Sequence, residues 1–185
     1  MENCYNLNSL PQLTAVQYSF PYIKAAVDKH ERARVETDGQ EQSWTIADYG
    51  SSQGGNSLVA VQFIIEQLKQ KYSLPNDCSF IVVYNDLPEN DWSILFKTVA
   101  ASMPAVNIYP LASGKSFYEQ ILPRDSLDFA FTSTSLHWMS RVPCTIKNHC
   151  FYQFANSDDY KLWKRQADDD YKAFLKCRSN ELKQG

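Results

Sequence analysis

The chain has 185 residues, 44% of them hydrophobic and 14% aromatic, and carries a formal net charge of −3. That length can bury a substantial core as one domain, the apolar and aromatic content excludes a disordered chain, and the negative balance excludes the basic footprint of a nucleic-acid binder. No stretch reaches the roughly 18 apolar residues of a membrane span, and the opening MENCYNLNSLPQ has no basic, apolar signal sequence, so a cytoplasmic protein with no membrane partner is expected.

The first predicted strand is the apolar run that ends at Asp48, inside WTIADYGSSQGGN, residues 44–56. It opens into a glycine-spaced turn and then a helix. Gly50, Gly54 and Gly55 lack a β-carbon, so the backbone can turn sharply and a ligand can lie against its amides. Asp48 brings a negative charge to the same place, which repels a pyrophosphate and attracts an ammonium or a sulfonium. No Gly-Lys-Ser/Thr follows, so the loop is not a phosphate cradle. The residues favour a cationic ligand and read as a site for S-adenosylmethionine, although glycine turns between strand and helix also serve packing.

The next segment repeats Leu58, Val61, Ile65, Leu68 and Tyr72 at three- and four-residue steps, which predicts a helix burying one face. SFIVVY, Ser79 to Tyr84, is a continuous apolar run and predicts a strand buried on both faces. Asn85, Asp86, Leu87 and Pro88 follow it. An acid at that second strand end is the expected companion of a glycine loop, because one carboxylate can hold both hydroxyls of a ribose; alone, Asp86 would read as a turn residue before proline. A second helix is predicted over Asp91 to Ala101, a third strand over Val106 to Leu111 and a fourth over Leu127 to Thr132. Strands alternating with helices predict an open parallel α/β sheet.

The last element is a long helix from about Ser157 to Leu182, with Ser157, Asp158 and Asp159 at its start and a stripe of Tyr160, Trp163, Ala167, Tyr171 and Phe174 expected to face the core. The acidic run Asp168, Asp169 and Asp170 reads as a solvated face beside Lys164, Arg165 and Lys172 rather than a metal site. The five cysteines, Cys4, Cys78, Cys144, Cys150 and Cys177, form no CxxC pair, and Cys144 with His149 and Cys150 lacks a fourth ligand, so thiols are expected and no metal. Ser135 and His137 lie two apart on a strand-like segment, facing one side, without the elbow or orienting acid of a nucleophile site.

Taken together, IADYGSSQGGNSL, NDLPENDW, GKSFYEQILP and SLDFAFTSTSLHWMSRVP, in that order, resemble the plant-type carboxyl methyltransferases of the SABATH family. The opening YNLNSLPQ and the closing DDYKAFLKCRSNELKQG extend the resemblance over nearly the entire chain. It implies a Rossmann-like class I methyltransferase sheet, S-adenosylmethionine as cofactor and a small carboxylic acid as methyl acceptor. It further implies that Asp48 and Asn56 flank the methionine part of the cofactor beside the turn at Gly50, with Ser9 from the opening segment. Asp86 takes the ribose hydroxyls, Leu87 packs on the adenine, and Ser116 with Phe117 closes over its edge. Gln12 and Trp138 match the pair that donates hydrogen bonds to the substrate carboxylate, and His137 matches a residue lining the acyl pocket. Phe117, Tyr118, Phe129 and Trp138 could form aromatic walls around the reacting groups.

No catalytic base is required by this chemistry, since a carboxylate with a pKa near 4 is ionised at neutral pH. The chain departs from the pattern in three places: the basic, glycine-rich arm and its lysine before YNLNS are reduced to Met1 to Cys4, a tyrosine four positions before Trp138 is Thr134, and the sequence ends at Gly185. Residues 1–185 are therefore expected to be a partial methyltransferase domain, its sheet ending after the fourth strand and the helix behind it. The fifth strand and helical cap of the family would lie beyond. Three roles follow: an active enzyme, a non-catalytic cofactor-binding remnant or partner, and a fragment. Pairing as a homodimer or with a longer relative is expected from an exposed sheet edge.

Overall fold

The computed structural model describes residues 4–31, 43–102 and 107–184. Two helices, α1 (Cys4–Asn8) and α2 (Leu10–Lys29), lead into strand β1 (Trp44–Tyr49), α3 (Gly55–Tyr72), β2 (Phe80–Asp86), α4 (Trp92–Ser102), β3 (Ile108–Gly114), β4 (Phe129–Phe131), a short 3₁₀ turn and α5 (Ser157–Glu181). The strands form one parallel sheet in the order β3-β2-β1-β4. β1 is in register with β2 from Trp44 opposite Phe80 to Tyr49 opposite Asn85, and with β4 from Ile46 opposite Phe129 to Asp48 opposite Phe131. The chain crosses from the β2 side of β1 to its other side between β3 and β4, so the strand order reverses at β1 and the crevice where ligands of open α/β sheets bind lies outside the carboxyl end of β1.

Side-chain alternation along β1 divides the core in two. Trp44 and Ile46 join α2, α3 and α4 in one cluster with Val16, Ile64, Leu68, Phe80, Leu95 and Phe131. Ala47 and Tyr49 point the other way, toward Val83, Leu127 and Phe174. The molecule is thus a helical layer, a sheet and a second layer made by α5. Of the stripe foreseen for α3, Leu58, Val61, Ile65 and Leu68 are buried and Tyr72 only partly so, with Ser57, Ala60 and Ile64 added to the inward face. Stacked rings of Phe20 and Phe63, 4.0 Å apart, lock α2 onto α3. Lys71 of α3 donates to the carbonyls of Val27 at 2.8 Å and Asp28 at 2.9 Å, and to that of His30, placing a cation at the C-terminus of α2 where the helix dipole favours it.

The structure revises several expectations. β2 runs two residues further, to Asp86, because it stays paired with β3 down to Gly114. β3 begins at Ile108, and Val106, where that strand was expected to start, lies outside the described residues. The fourth strand is only Phe129–Phe131, with Leu127 bridging instead to Leu182. The turn at residues 136–137 replaces the strand-like segment expected for Ser135 and His137: Ser135 is buried and His137 exposed, so they do not share a face. α5 is capped by Asn156, whose side-chain oxygen accepts from the amides of Asp158 and Asp159.

The greatest correction concerns the buried face of α5. Tyr160 and Tyr171 are 43% and 54% exposed, and the residues turned inward are Gln166, Asp170, Phe174, Arg178 and Glu181. Asp168 and Asp169 do pair with Lys164 at 2.8 Å and Arg165 at 3.8 Å on the surface. Asp170 does not belong with them; it is buried and bound to Ser140 and Gln166. Among the described residues no helix is long and apolar enough to cross a membrane.

Candidate functional site

The turn after β1 is held by backbone geometry that side chains would obstruct. Gly50 has φ +91°, and a β-carbon there would run into the side chain of Ser135. The amides of Gly50 and Ser51 donate to the Asn85 carbonyl at 2.8 and 3.0 Å, tying the β1 turn to the end of β2. Ser52 holds φ +49° and Gly54 φ +87° before α3 begins. Gly55 is helical, and its lack of a β-carbon matters for another reason, since Asn6 of α1 packs against it and accepts its amide hydrogen at 3.1 Å.

Asp48 sits at the floor of this crevice, 4% exposed, with the Ser57 hydroxyl donating to its carboxylate. Burial pushes its pKa up from 3.8 to about 7, the Ser57 hydrogen bond opposes that rise, and the nearby charge of Asp86 adds to it. A carboxyl held this way is poised for a cation, whose arrival would return it to the ionised form. Asp48, Gly50, Ser51, Asn56 and Ser57 line a cavity of about 20 Å³ roofed by Val16 of α2. That is room for about one water, so a larger ligand must displace the roof. The Ser51 hydroxyl is buried with no hydrogen-bond partner among the described residues, as are the side-chain oxygens of Asn85 and Gln12.

Asp86 lies at the neighbouring strand tip, where its two oxygens accept from the amides of Ser52 at 2.7 Å and Leu87 at 2.8 Å. Asn90 completes the connection by donating to the Ser52 carbonyl at 2.8 Å. A carboxylate has about four acceptor positions, so two remain for hydroxyl donors. The side chain of Asn85 spans to the carbonyls of Ser113 and Lys115 at 2.9 and 2.7 Å and fixes the start of the segment after β3. Ser116 and Phe117 follow on that segment; the Phe117 ring meets Tyr118 at 4.6 Å and Phe174 at 6.1 Å. Leu87 is exposed beside this crevice.

The candidate residues therefore fall into two groups. Asp48, Gly50 and Asn56 share one cavity, Ser9 joins them through its carbonyl, which accepts from Asn56 at 3.4 Å, and Asp86 lies one strand away. His137 and Trp138 form a separate pair at the surface, rings 5.3 Å apart, with Trp138 71% exposed. Gln12 lies on α2, and among the described residues no hydrogen bond joins it to either. A larger cavity of about 330 Å³ lined by Lys69, Cys78 and Asn107 opens at the amino ends of β2 and β3, the wrong end of a parallel sheet for the crevice described here. Sequence reasoning missed Ser51, Ser57 and Asn85. Ser57 had a usable signal, a hydroxyl in the first turn of the helix that follows an acid-tipped strand.

The family of SAM dependent carboxyl methyltransferases matches residues 1–185. The chain is 31% identical to the salicylate carboxymethyltransferase of Clarkia breweri, over 100% of this chain and 52% of that protein. It is 33% identical to the farnesoic acid carboxyl-O-methyltransferase of Arabidopsis thaliana, over 91% of this chain and 52% of that protein. A solved structure described as loganic acid methyltransferase with SAH superposes with a TM-score of 0.80 at 27% identity, covering 99% of this chain and 54% of that one. The chain spans about half the length of the curated relatives it matches.

Proposed function

The chain belongs to the S-adenosylmethionine-dependent carboxyl methyltransferase family, and from that premise we propose that it binds S-adenosylmethionine at the tips of β1 and β2 for methyl transfer to the carboxylate of a small organic acid. The observation that carries the reading is Asp48, a buried acid facing a cavity that is also lined by the Ser51 hydroxyl, which has no hydrogen-bond partner among the described residues. In this reading residues 1–185 are the cofactor-binding part of a cytoplasmic methyltransferase domain.

When bound, S-adenosylmethionine supplies a methyl group on a sulfonium, open to attack by an oxygen anion. Asp48, Asn56 and Ser9 hold its amino-acid end, the Gly50 turn letting the backbone come close. Asp86 uses its two remaining acceptor positions for the ribose hydroxyls, and Leu87, Ser116 and Phe117 flank the adenine. Gln12 and Trp138 orient the acceptor carboxylate through an amide and an indole N–H, neutral donors that do not over-stabilise the ground state as an arginine fork would. His137 lines the acyl side. Because the acceptor is already ionised, no residue has to remove a proton, and catalysis is placement of oxygen and methyl in line.

A second reading, cofactor binding without turnover, is favoured by one observation: His137 and Trp138 lie exposed on the surface rather than around an enclosed acceptor cavity. Pairing with a second copy or a longer relative through the β4 edge belongs to either reading. Calorimetry with S-adenosylhomocysteine tests the common part. The wild-type chain is expected to bind, and Asp48→Asn and Asp86→Ala each to weaken binding at least about tenfold; no binding by the wild type, or no loss in either variant, ends the proposal. Mass-spectrometric detection of methyl esters from salicylate, loganic acid and farnesoic acid then separates turnover from binding alone.

A further inference from the structure

The inward face of α5 carries two polar clusters, and each ends on the backbone of a different irregular segment. Glu181 is fully buried. One of its oxygens accepts from the amides of Ile121 at 2.5 Å and Leu122 at 3.1 Å, the other from the Tyr49 hydroxyl at 2.6 Å, and Arg178 reaches both oxygens at 2.8 and 3.0 Å. Arg178 also donates to the carbonyls of Phe117 at 2.7 Å and Glu119 at 2.9 Å, its guanidinium lying 4.0 Å from the Tyr49 ring centre. Four backbone groups of segment 117–122 are thus bound by one ion pair, which is itself tied to β1 one residue after Asp48.

Asp170 lies eleven residues earlier, about three helical turns, and so on the same face. Its oxygens accept from the Ser140 amide at 2.8 Å and hydroxyl at 2.6 Å, and Gln166 binds Asp170 at 2.8 Å while accepting from Arg141 at 2.6 Å. This cluster holds segment 138–141, which begins at Trp138. The two segments meet where the Tyr118 hydroxyl donates to the Trp138 carbonyl at 2.8 Å. A helix that only needed to be buried would have placed leucines at these positions. Each polar group here instead terminates on a loop that has no regular hydrogen-bond ladder of its own.

Resting on the cofactor site proposed above, we propose that α5 positions the two ligand segments separately: Arg178 with Glu181 sets 117–122 for the cofactor, and Gln166 with Asp170 sets 138–141. These are positioning residues, acting through Phe117 and Trp138 rather than on the ligands. Asp170 is therefore silent toward the cofactor, although it is as deeply buried as Arg178.

The test joins S-adenosylhomocysteine calorimetry to hydrogen-exchange mass spectrometry on Glu181→Gln, Arg178→Lys and Asp170→Asn. Glu181→Gln and Arg178→Lys are expected to weaken S-adenosylhomocysteine binding about tenfold and speed exchange over 117–122. Asp170→Asn is expected to speed exchange over 138–141 and keep the affinity within twofold of wild type. A merely structural role would lower stability in all three and split neither affinity nor exchange. Should Glu181→Gln fail to fold, Arg178→Lys carries the test, since it keeps the charge and breaks the fork onto Phe117 and Glu119. Equal loss of affinity in Asp170→Asn, or none in Arg178→Lys, overturns the proposal. A wild-type chain that binds no S-adenosylhomocysteine sinks the cofactor reading instead, and separate control of the two segments is then decided by the exchange pattern alone.

Discussion

α3 and α5 cover opposite faces of the same sheet and solve that task with different chemistry. The inward face of α3 is Leu58, Ala60, Val61, Ile64, Ile65 and Leu68, whereas that of α5 is Gln166, Asp170, Phe174, Arg178 and Glu181. Burial of apolar groups is non-directional, so it holds a helix against a sheet and leaves its neighbours loosely specified. Charged hydrogen bonds in a buried site are directional and costly to leave incomplete, so they specify where their partners stand. The α3 side accordingly packs against other regular elements, and the α5 side against the irregular segments after β3 and β4.

The largest test of this contrast is Arg178→Met. Removing one partner of a buried ion pair costs about 3–5 kcal/mol, and the upper end is expected here because Phe117 and Glu119 lose their donor as well. Buried pairs elsewhere are often replaced by apolar residues without loss. In this chain the double variant Arg178→Met/Glu181→Leu is expected not to recover, since the amides of Ile121 and Leu122 would then be left without acceptors too. Urea unfolding of the three proteins decides it; recovery of the double variant to wild-type stability would mean that α5 is no more than a covering helix.

Next in size is the one place where α3 behaves like α5, the Ser57 hydroxyl on Asp48. Asp48 has its pKa raised from 3.8 to about 7, chiefly by burial. In the unfolded chain the group ionises near its ordinary value and in the folded one only near 7, so its contribution to stability is fully present below about pH 4 and is lost as the pH rises toward 7. A rise of that size corresponds to roughly 4 kcal/mol as an upper bound. Urea midpoints measured at pH 5 and pH 8 should show that decline in the wild type and a flatter profile in Asp48→Asn. Affinity for the methyl donor should run the other way, increasing through pH 7 as the carboxylate ionises. Leu68→Ala on the apolar face of α3 follows, with a loss of about 3 kcal/mol and S-adenosylhomocysteine affinity unchanged per folded molecule.

The same contrast explains what could be read in the sequence. Apolar periodicity reported α3, and continuous apolar runs reported β1 and β2, because those elements are held by the hydrophobic effect that periodicity measures. α5 was legible as a helix and illegible as a surface: its aromatic stripe at Tyr160 and Tyr171 faces out, while its inward residues include an acid, an arginine and a glutamate that no hydrophobic pattern marks. α2 escaped notice because Pro21 lies inside it and only Val16, Ile23 and Val27 are buried. At the site, Asp48, Gly50 and Asn56 were legible because a glycine turn after an acid-tipped strand restricts the chemistry. Ser51 and Asn85 were not, since their importance lies in contacts between the turn after β1 and the end of β2 that no local spacing encodes, whereas Ser57 was marked only by its place in the first turn of the helix after an acid-tipped strand.

The smallest effect belongs to the outer face of α5, and it separates position from charge. Lys164 and Asp168 form a bond of 2.8 Å one turn apart, which raises the lysine's pKa and lowers that of the acid through their mutual hydrogen bond and charge. Both side chains are more than half exposed, so water and salt screen the pair and two long side chains lose freedom to make it. Lys164→Met is expected to leave the urea midpoint and S-adenosylhomocysteine affinity unmoved at physiological salt. Arg178 and Lys164 are both cations paired with an acid on the same helix, and they differ in what surrounds them. If the outer pair proved as costly to break as the inner one, charge along the helix rather than the bonds to segment 117–122 would account for α5, and the distinction drawn between its two faces would fail.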